Sequence, residues 1–138
     1  MPDEVAWKEV LRAALVRAGR AAHPREFAAV LGGDRGGRAT WVSCFVEVPN
    51  TARCADAFAV EPPAFAAAER ELRRRGCAFV GFAHSHPRGV AAPSARDRAE
   101  LWTECVQVIT SADDVRAYWL DARRTAHALT TATARAAR

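Results

Sequence analysis

An unbroken apolar run of strand length, residues 77–83, leads directly into His84-Ser85-His86-Pro87. A short continuous apolar run is typical of a strand that is buried on both faces. The run therefore predicts a buried strand that ends in two histidines, and it requires covering structure on both sides of the sheet to which this strand belongs.

The rest of the chain supplies the covering elements. Trp7, Leu11 and Leu15 recur at helical spacing and predict a helix over residues 4–20. The remaining predicted elements are a hairpin of strands 26–31 and 40–48 around a turn at 34–37, a helix from Pro62 to Gly76, a short helix over 94–102, and strands at 106–110, 115–120 and 125–131. Strand 40–48 carries apolar residues towards both faces and is expected to be central. The sequence predicts one α/β domain over residues 1–138, with a mixed β-sheet flanked by helices.

Composition excludes several classes of protein. Half of the residues are apolar, which is enough to bury a core without disulfides. Charged residues interrupt every apolar stretch before it reaches the length of a membrane span, and the acidic start Asp3-Glu4 is unlike a secretory signal. We therefore expect a cytoplasmic protein. The net charge of +4 comes almost wholly from arginine, and those of the second predicted helix lie among glutamates on a solvated face, so no nucleic-acid partner is expected.

The four cysteines, Cys44, Cys54, Cys77 and Cys105, form no C-x-x-C pair. A zinc knuckle or a thioredoxin-like motif is therefore unsupported. Cys44 and Cys77 fall in apolar strand-like runs, where a buried free thiol is the ordinary interpretation. Cys54 falls in a predicted loop, a position that permits redox activity without indicating it.

The segment from His84 to Asp97 has the composition of a metal site. In an extended chain residues i and i+2 project to the same side, so His84 and His86 can face one ion, and Pro87 favours extended dihedrals at His86. Two imidazoles and the Asp97 carboxylate would leave a fourth position open, as in catalytic zinc sites. Ser94-x-x-Asp97 also fits a helix capping box, which involves no metal. Spacing alone leaves both interpretations open.

The motif His84-x-His86-Pro87, six residues, Ser94-x-x-Asp97 resembles the signature of the JAMM (MPN+, or JAB) metalloprotease family. The apolar run that Glu26 opens, ending in Gly32-Gly33, is similar to the family's upstream glutamate element. Pro49-Asn50 and Val80-Gly81 also resemble family habits, and the similarity covers nearly the whole chain. Ala29 stands where family members often carry glycine, a change small enough for the packing to survive.

This resemblance implies a JAMM/MPN (cytidine-deaminase-like) architecture and one zinc ion per chain, with His84, His86 and Asp97 as its ligands. It implies that Glu26 is the general base that takes a proton from the zinc-activated water. Ser94 would donate a hydrogen bond to the oxyanion of the tetrahedral intermediate. A nucleoside deaminase is not supported, since its H-x-E and P-C-x-x-C motifs are absent.

The implied substrate is a ubiquitin-like or sulfur-carrier protein that is cut after its C-terminal Gly-Gly tail. The tail would lie extended beside a sheet edge, for which residues 49–60 are the candidate. The alternative is a catalytically inactive MPN scaffold, against which the complete set of Glu26 and metal ligands argues.

Overall fold

The computed structural model describes residues 1–52 and 59–134, so Cys54 and most of the loop after Asn50 lie outside the described residues. The described chain contains seven strands and three helices. They are β1 (Glu4–Lys8), α1 (Glu9–Ala22), β2 (Ala28–Gly36), β3 (Ala39–Glu47), α2 (Pro62–Arg74), β4 (Ala78–Ser85), α3 (Ala95–Glu100), β5 (Cys105–Ser111), β6 (Asp114–Leu120) and β7 (Ala126–Ala134).

The strands form a mixed sheet in the order β1-β3-β2-β4-β5-β6-β7, which closes because β1 pairs with both β3 and β7. Both of these β1 pairings are parallel, as is the pairing of β4 with β5, and the other neighbours are antiparallel. The predicted mixed sheet with flanking helices is therefore confirmed, whereas its closure was not predicted.

Strand β2 shows how the helices cover the sheet. Its side chains alternate, so that Ala29 and Leu31 join a buried cluster with Leu15 of α1, and Ala28 and Val30 join a second cluster with Leu72 of α2. Strand β4 divides its side chains between the same two clusters. The prediction that the strand before the histidines is buried on both faces is confirmed, and Ala29 is fully packed.

The prediction of a helix over residues 4–20 was wrong at its start. Residues 4–8 form β1, and the helix begins at Glu9. Val5 and Trp7 both point into the core, which is the two-residue period of a strand. Because Trp7 also stands four residues before Leu11, the helical spacing extends by coincidence into a strand whose backbone is paired on both sides.

Two predictions for the hairpin also need correction. Strand β2 continues through the predicted turn to Gly36, with a register shift between Gly32 and Gly33 that the sequence did not indicate. Strand β3 lies between β1 and β2, but its Trp41 and Ser43 are exposed, so only one face is well buried. The strands that are buried on both faces are β4, β5 and the first five residues of β2.

Within the described residues, no helix has both the length and the apolar character that crossing a bilayer requires. The arginines of α2 lie on its exposed side, and Arg73 pairs with Glu69 across one helical turn at 3.7 Å. This confirms a solvated helix face.

Candidate metal centre

The end of β4 carries both histidines into the centre of the sheet. His84 is paired with Ala28 of β2 and with Ile109 of β5, and it is completely buried. The Phe27 amide donates to Ser85 Oγ at 2.7 Å, and the Ser85 amide donates to the Phe27 carbonyl at 3.1 Å. These two bonds fix the start of β2 against the end of β4, so that Glu26 and His84 emerge side by side.

Three side-chain atoms meet at this point. His84 Nε2 lies 3.1 Å from His86 Nε2 and 3.2 Å from Asp97 Oδ2, and His86 Nε2 lies 3.0 Å from the same carboxylate oxygen. Ligand atoms at 2.0–2.1 Å from a tetrahedral zinc ion would be about 3.3 Å apart. The spacing of the three atoms is therefore close to that of three corners of a zinc tetrahedron.

The tautomer of His86 is determined by the loop that follows it. His86 Nδ1 lies 2.8 Å from the Val90 carbonyl oxygen, which can only accept, so Nδ1 carries the proton and donates. In the neutral ring Nε2 then keeps its lone pair and directs it at His84 and Asp97. This is the form in which an imidazole binds a metal.

Asp97 lies in the first turn of α3, and its placement explains why two interpretations of its motif coexisted. The Ser94 amide donates to Asp97 Oδ2 at 3.0 Å, and the Asp97 amide donates to Ser94 Oγ at 3.0 Å. The capping box is thus formed, and the oxygen that completes it is also the one that faces both histidines. Ser94 is exposed, and its hydroxyl accepts from Asp97 and keeps its own proton for another acceptor.

Glu26 is 4% exposed and lies immediately before β2. Its Oε1 is 3.9 Å from His84 Nε2, beyond hydrogen-bond distance but close enough for a water molecule to contact both groups. Its backbone is held by Asn50, whose side-chain amide donates to the Glu26 carbonyl at 2.8 Å. Asn50 Oδ1 in turn accepts from the Ala52 and Ala59 amides, so one side chain joins the loop to the start of β2.

The electrostatics favour a neutral histidine beside an ionised carboxylate. Burial lowers the pKa of His84. Burial also opposes the charge on His86, but hydrogen bonds to Asp97 and Val90 outweigh it and raise the pKa of this ring. Burial would raise the pKa of Asp97, but hydrogen bonds from the two histidines dominate and hold the pKa well below its usual range. Asp97 is therefore an anion at neutral pH.

Glu26, His84 and His86 form a group that could hold a metal ion, because their ligand atoms all lie within 4.8 Å of one another. Asp97 approaches the two histidines more closely than Glu26 does. Two imidazole nitrogens and carboxylate oxygens are ligands that zinc accepts, so the residues fit such an ion. All five residues singled out in the sequence lie in or beside this cluster.

A cleft of about 240 Å³ opens next to Asp97. Phe82 lies in its wall together with Trp102, and the ring centroids of these two residues are 5.0 Å apart. The other lining residues come from the segment before α2 and from α3: Ala59, Val60, Arg96, Glu100 and Leu101.

Sequence reasoning missed the residues that orient the cluster. The Val90 carbonyl, the Ser85 hydroxyl and the Asn50 side chain act through backbone geometry, which no residue spacing reports. The Pro49-Asn50 pair drew attention to Asn50 in the sequence, but its hydrogen bond to the Glu26 carbonyl could not be predicted from that pair.

Solved structures share this fold. A protein from Desulfitobacterium hafniense has a TM-score of 0.86 at 21% identity, with 96% of this chain and 94% of that one covered. A Salinibacter ruber protein has a TM-score of 0.69 at 21% identity, with 97% and 92% covered. A JAB1/MPN domain protein from Archaeoglobus fulgidus has a TM-score of 0.59 at 18% identity, with 94% and 97% covered.

Among characterised sequences, a Thermus thermophilus protein named "Probable TtuB-protein conjugate cleaving protease" is 39% identical over 64 residues. That match covers 46% of this chain and 43% of the Thermus protein, less than half of either. Residues 8–121 match the family described as prokaryotic homologs of the JAB domain. Because this match includes α1, every residue of the cluster and most of the sheet, the chain belongs to the prokaryotic JAB domain family.

Proposed function

We propose that this protein is a zinc-dependent hydrolase that cleaves an amide or isopeptide bond after the C-terminal Gly-Gly tail of a ubiquitin-like or sulfur-carrier protein. His84, His86 and Asp97 are the proposed ligands of one zinc ion per chain. Glu26 is the proposed general base, and Ser94 the proposed oxyanion donor.

The observation that carries this proposal is the spacing of the three ligand atoms. Their separations of 3.0–3.2 Å suit a tetrahedral ion, and the 3.9 Å gap between Glu26 Oε1 and His84 Nε2 suits a base that acts through water.

The roles of the residues follow from their positions. A zinc ion held by His84, His86 and Asp97 would supply Lewis acidity, which would lower the pKa of the attacking water towards neutrality. Glu26 would accept a proton from the attacking water and return it to the leaving amine, and its burial protects the carboxylate from bulk solvent. The Ser94 hydroxyl is free to donate to the oxygen on which negative charge develops.

The cleft beside Asp97 is the proposed path of the substrate tail. A Gly-Gly tail has no side chains, so its backbone can come close to the walls formed by Ala59, Val60 and Trp102. Residues 59–60 of the predicted 49–60 segment line this cleft. The Ala59 amide and carbonyl already bond to Asn50 and Thr51, so Val60 is the proposed point of backbone pairing with the tail. The Thermus relative is named for cleaving protein conjugates of TtuB, which agrees with a tail of this kind.

Zinc content tests the metal site. Wild type purified without added metal should contain about one zinc per chain, and His84→Ala and Asp97→Ala should contain almost none. His127→Ala is the matched control, because this histidine pairs with Asp121 at 2.8 Å in the β6–β7 hairpin, outside the cluster. An apo wild type that takes up no zinc on reconstitution would refute the proposed hydrolase function and favour the alternative of a catalytically inactive MPN scaffold.

A cleavage assay distinguishes the proposed metal ligands from the proposed general base, Glu26. We expect the zinc form to release a fluorophore that is amide-linked to the C-terminal Gly-Gly of a ubiquitin-like protein. Glu26→Gln should keep its zinc and lose activity by about 10²-fold or more, because the carboxamide cannot accept the proton. A Glu26→Gln variant that loses its zinc would show instead that Glu26 is a ligand, a role its membership of the cluster permits.

A further inference from the structure

Three thiols that the proposed hydrolase does not use belong to the second cluster of the core or pack against it, and two of them, Cys44 and Cys77, lie side by side. Cys44 lies on β3 and Cys77 lies immediately before β4, and both are free and half-buried. Cys44 Sγ donates to Cys77 Sγ over 3.0 Å. An S–S bond is about 2.05 Å long, so the two sulfurs need to approach by only about 1 Å to form one.

The two cysteines meet because the strand between them has no side chain at the crossing point. Strand β2 separates β3 from β4, and its Gly32 is paired with Cys44. A Cβ on Gly32 would lie 3.0 Å from Cys77 Cβ and 3.1 Å from Cys44 Sγ. The register of β2 also shifts beside Gly32 in its pairing with each neighbouring strand.

We propose that Cys44 and Cys77 form a reversible dithiol–disulfide site that, when oxidised, links β3 to the start of β4 across β2. Such a pair remains a dithiol in a reducing compartment and closes when the thiol–disulfide balance becomes oxidising. The bond would enclose residues 45–76, which include α2 and the segment before it that lines the cleft.

The order of the two steps follows from the environments of the sulfurs. Burial and then the hydrogen bond with Cys77 raise the pKa of Cys44 to about 11, so Cys44 stays protonated near neutral pH. Cys77 also contacts the Ser43 hydroxyl at 3.4 Å, on an exposed part of the surface. Cys77 is therefore the sulfur that reacts first, and Cys44 is the one that resolves.

A low-molecular-weight disulfide such as oxidised glutathione serves as the oxidant. The Cys77 thiolate attacks one glutathione sulfur, the glutathione S–S bond breaks, and one glutathione leaves as a thiol after taking up a proton. Cys44 then gives up its proton and attacks Cys77 Sγ, and the second glutathione leaves. Two protein thiols are oxidised to one disulfide, and one glutathione disulfide is reduced to two thiols.

The test uses the full chain carrying Cys54→Ser, so that Cys54 cannot take part. After incubation with oxidised glutathione, we expect alkylation to count two fewer thiols, and the intact mass to fall by two hydrogen atoms. Peptide mapping should join Cys44 to Cys77, and Tm should rise by about 5–15 °C and return with dithiothreitol. Retention of both thiols, a stable glutathione adduct on this chain, or a bond to Cys105 would each overturn the proposal.

Two single variants test the order of attack. With Cys44→Ser, the reaction should stop at a glutathione adduct on Cys77, whereas Cys77→Ser should leave Cys44 unmodified over the same time. Cys105→Ser is the matched control and should close as readily as the parent, because Cys105 is a buried thiol outside the pair. An adduct on Cys44 in the Cys77→Ser variant at the same rate would contradict the assignment.

A third variant keeps both cysteines and adds one methyl group beside them. The Cβ of Gly32→Ala would lie 2.5 Å from Leu72 Cδ2, 3.0 Å from Cys77 Cβ and 3.1 Å from Cys44 Sγ, so we expect it to displace the pair and to slow disulfide formation by tenfold or more. An unchanged rate in a folded Gly32→Ala protein would show that proximity over Gly32 does not promote the bond.

Discussion

Gly81 lies where β4 packs tightly against the backbone of β5, three residues before His84, and it offers a quantitative test of how the sheet positions the candidate metal site. Gly81 is paired with Val106, and a Cβ built on it would lie 2.8 Å from the Val106 carbonyl carbon and closer still to its oxygen. Real Cβ atoms essentially never come within 3.0 Å of such atoms. Both clashing groups belong to a paired backbone, so Gly81→Ala cannot be accommodated by a side-chain rotation.

The expected cost is therefore at the upper end of that for overpacking, about 3 kcal/mol. For a chain of this length such a loss lowers Tm by roughly 10 °C. The five residue pairs from Gly81 to Ser85 are in register with β5, and separating the strands would move His84 as well. We expect weaker zinc binding to accompany the loss of stability. Urea unfolding monitored by circular dichroism measures the free energy, and elemental analysis measures the zinc.

Gly76→Ala is the matched control. Gly76 has a φ of +76° and nothing within 4 Å of an added Cβ, so its substitution costs only the left-handed backbone term of about 1 kcal/mol. The zinc content of this variant should not change. If Gly81→Ala is no less stable than Gly76→Ala, or binds zinc normally, the close approach of β4 and β5 does not govern the site and the reasoning fails.

The remaining predictions concern Ser94 and Cys105. Ser94→Ala should lower the free energy of unfolding by about 1 kcal/mol, because the helix cap is lost, and should lower the cleavage rate by about 10²–10³. Ser94→Gly should keep the free energy of unfolding within a few tenths of a kcal/mol and still show the same loss of rate. Urea unfolding measures the first quantity and a peptidase assay the second. Equal activity in Ser94→Gly and wild type would remove the hydroxyl from the mechanism. Burial raises the pKa of Cys105 to about 11, so its alkylation by iodoacetamide should accelerate roughly tenfold per pH unit between pH 7 and 10. A rate that is flat above pH 8.5 would contradict this.

The sequence indicated which residues would meet in the candidate site, but it misplaced several element boundaries. The apolar run into His84 required a buried strand, and Ser94-x-x-Asp97 required the start of a helix, so two local patterns were enough to bring a carboxylate towards the histidines. Local patterns were ambiguous where helical and strand periods coincided, as at Val5 and Trp7 in β1.

Other features depend on contacts between distant parts of the chain. The register shift at Gly32 occurs where this residue packs closely against Leu72 and the two cysteines, which lie far from it in the sequence. The hydrogen bond from Asn50 to the Glu26 carbonyl joins residues 24 positions apart. Such pairings depend on the tertiary arrangement, which no spacing in the sequence encodes.

The double pairing of β1 also bears on how this protein meets other chains. A strand with an unpaired side offers amide and carbonyl groups to any extended peptide, and this is how many sheets aggregate or acquire a foreign strand. Each of the seven described strands already has a neighbour on both sides. The described sheet therefore has no strand that lacks a neighbour along one whole side, which disfavours edge-to-edge association with a second copy.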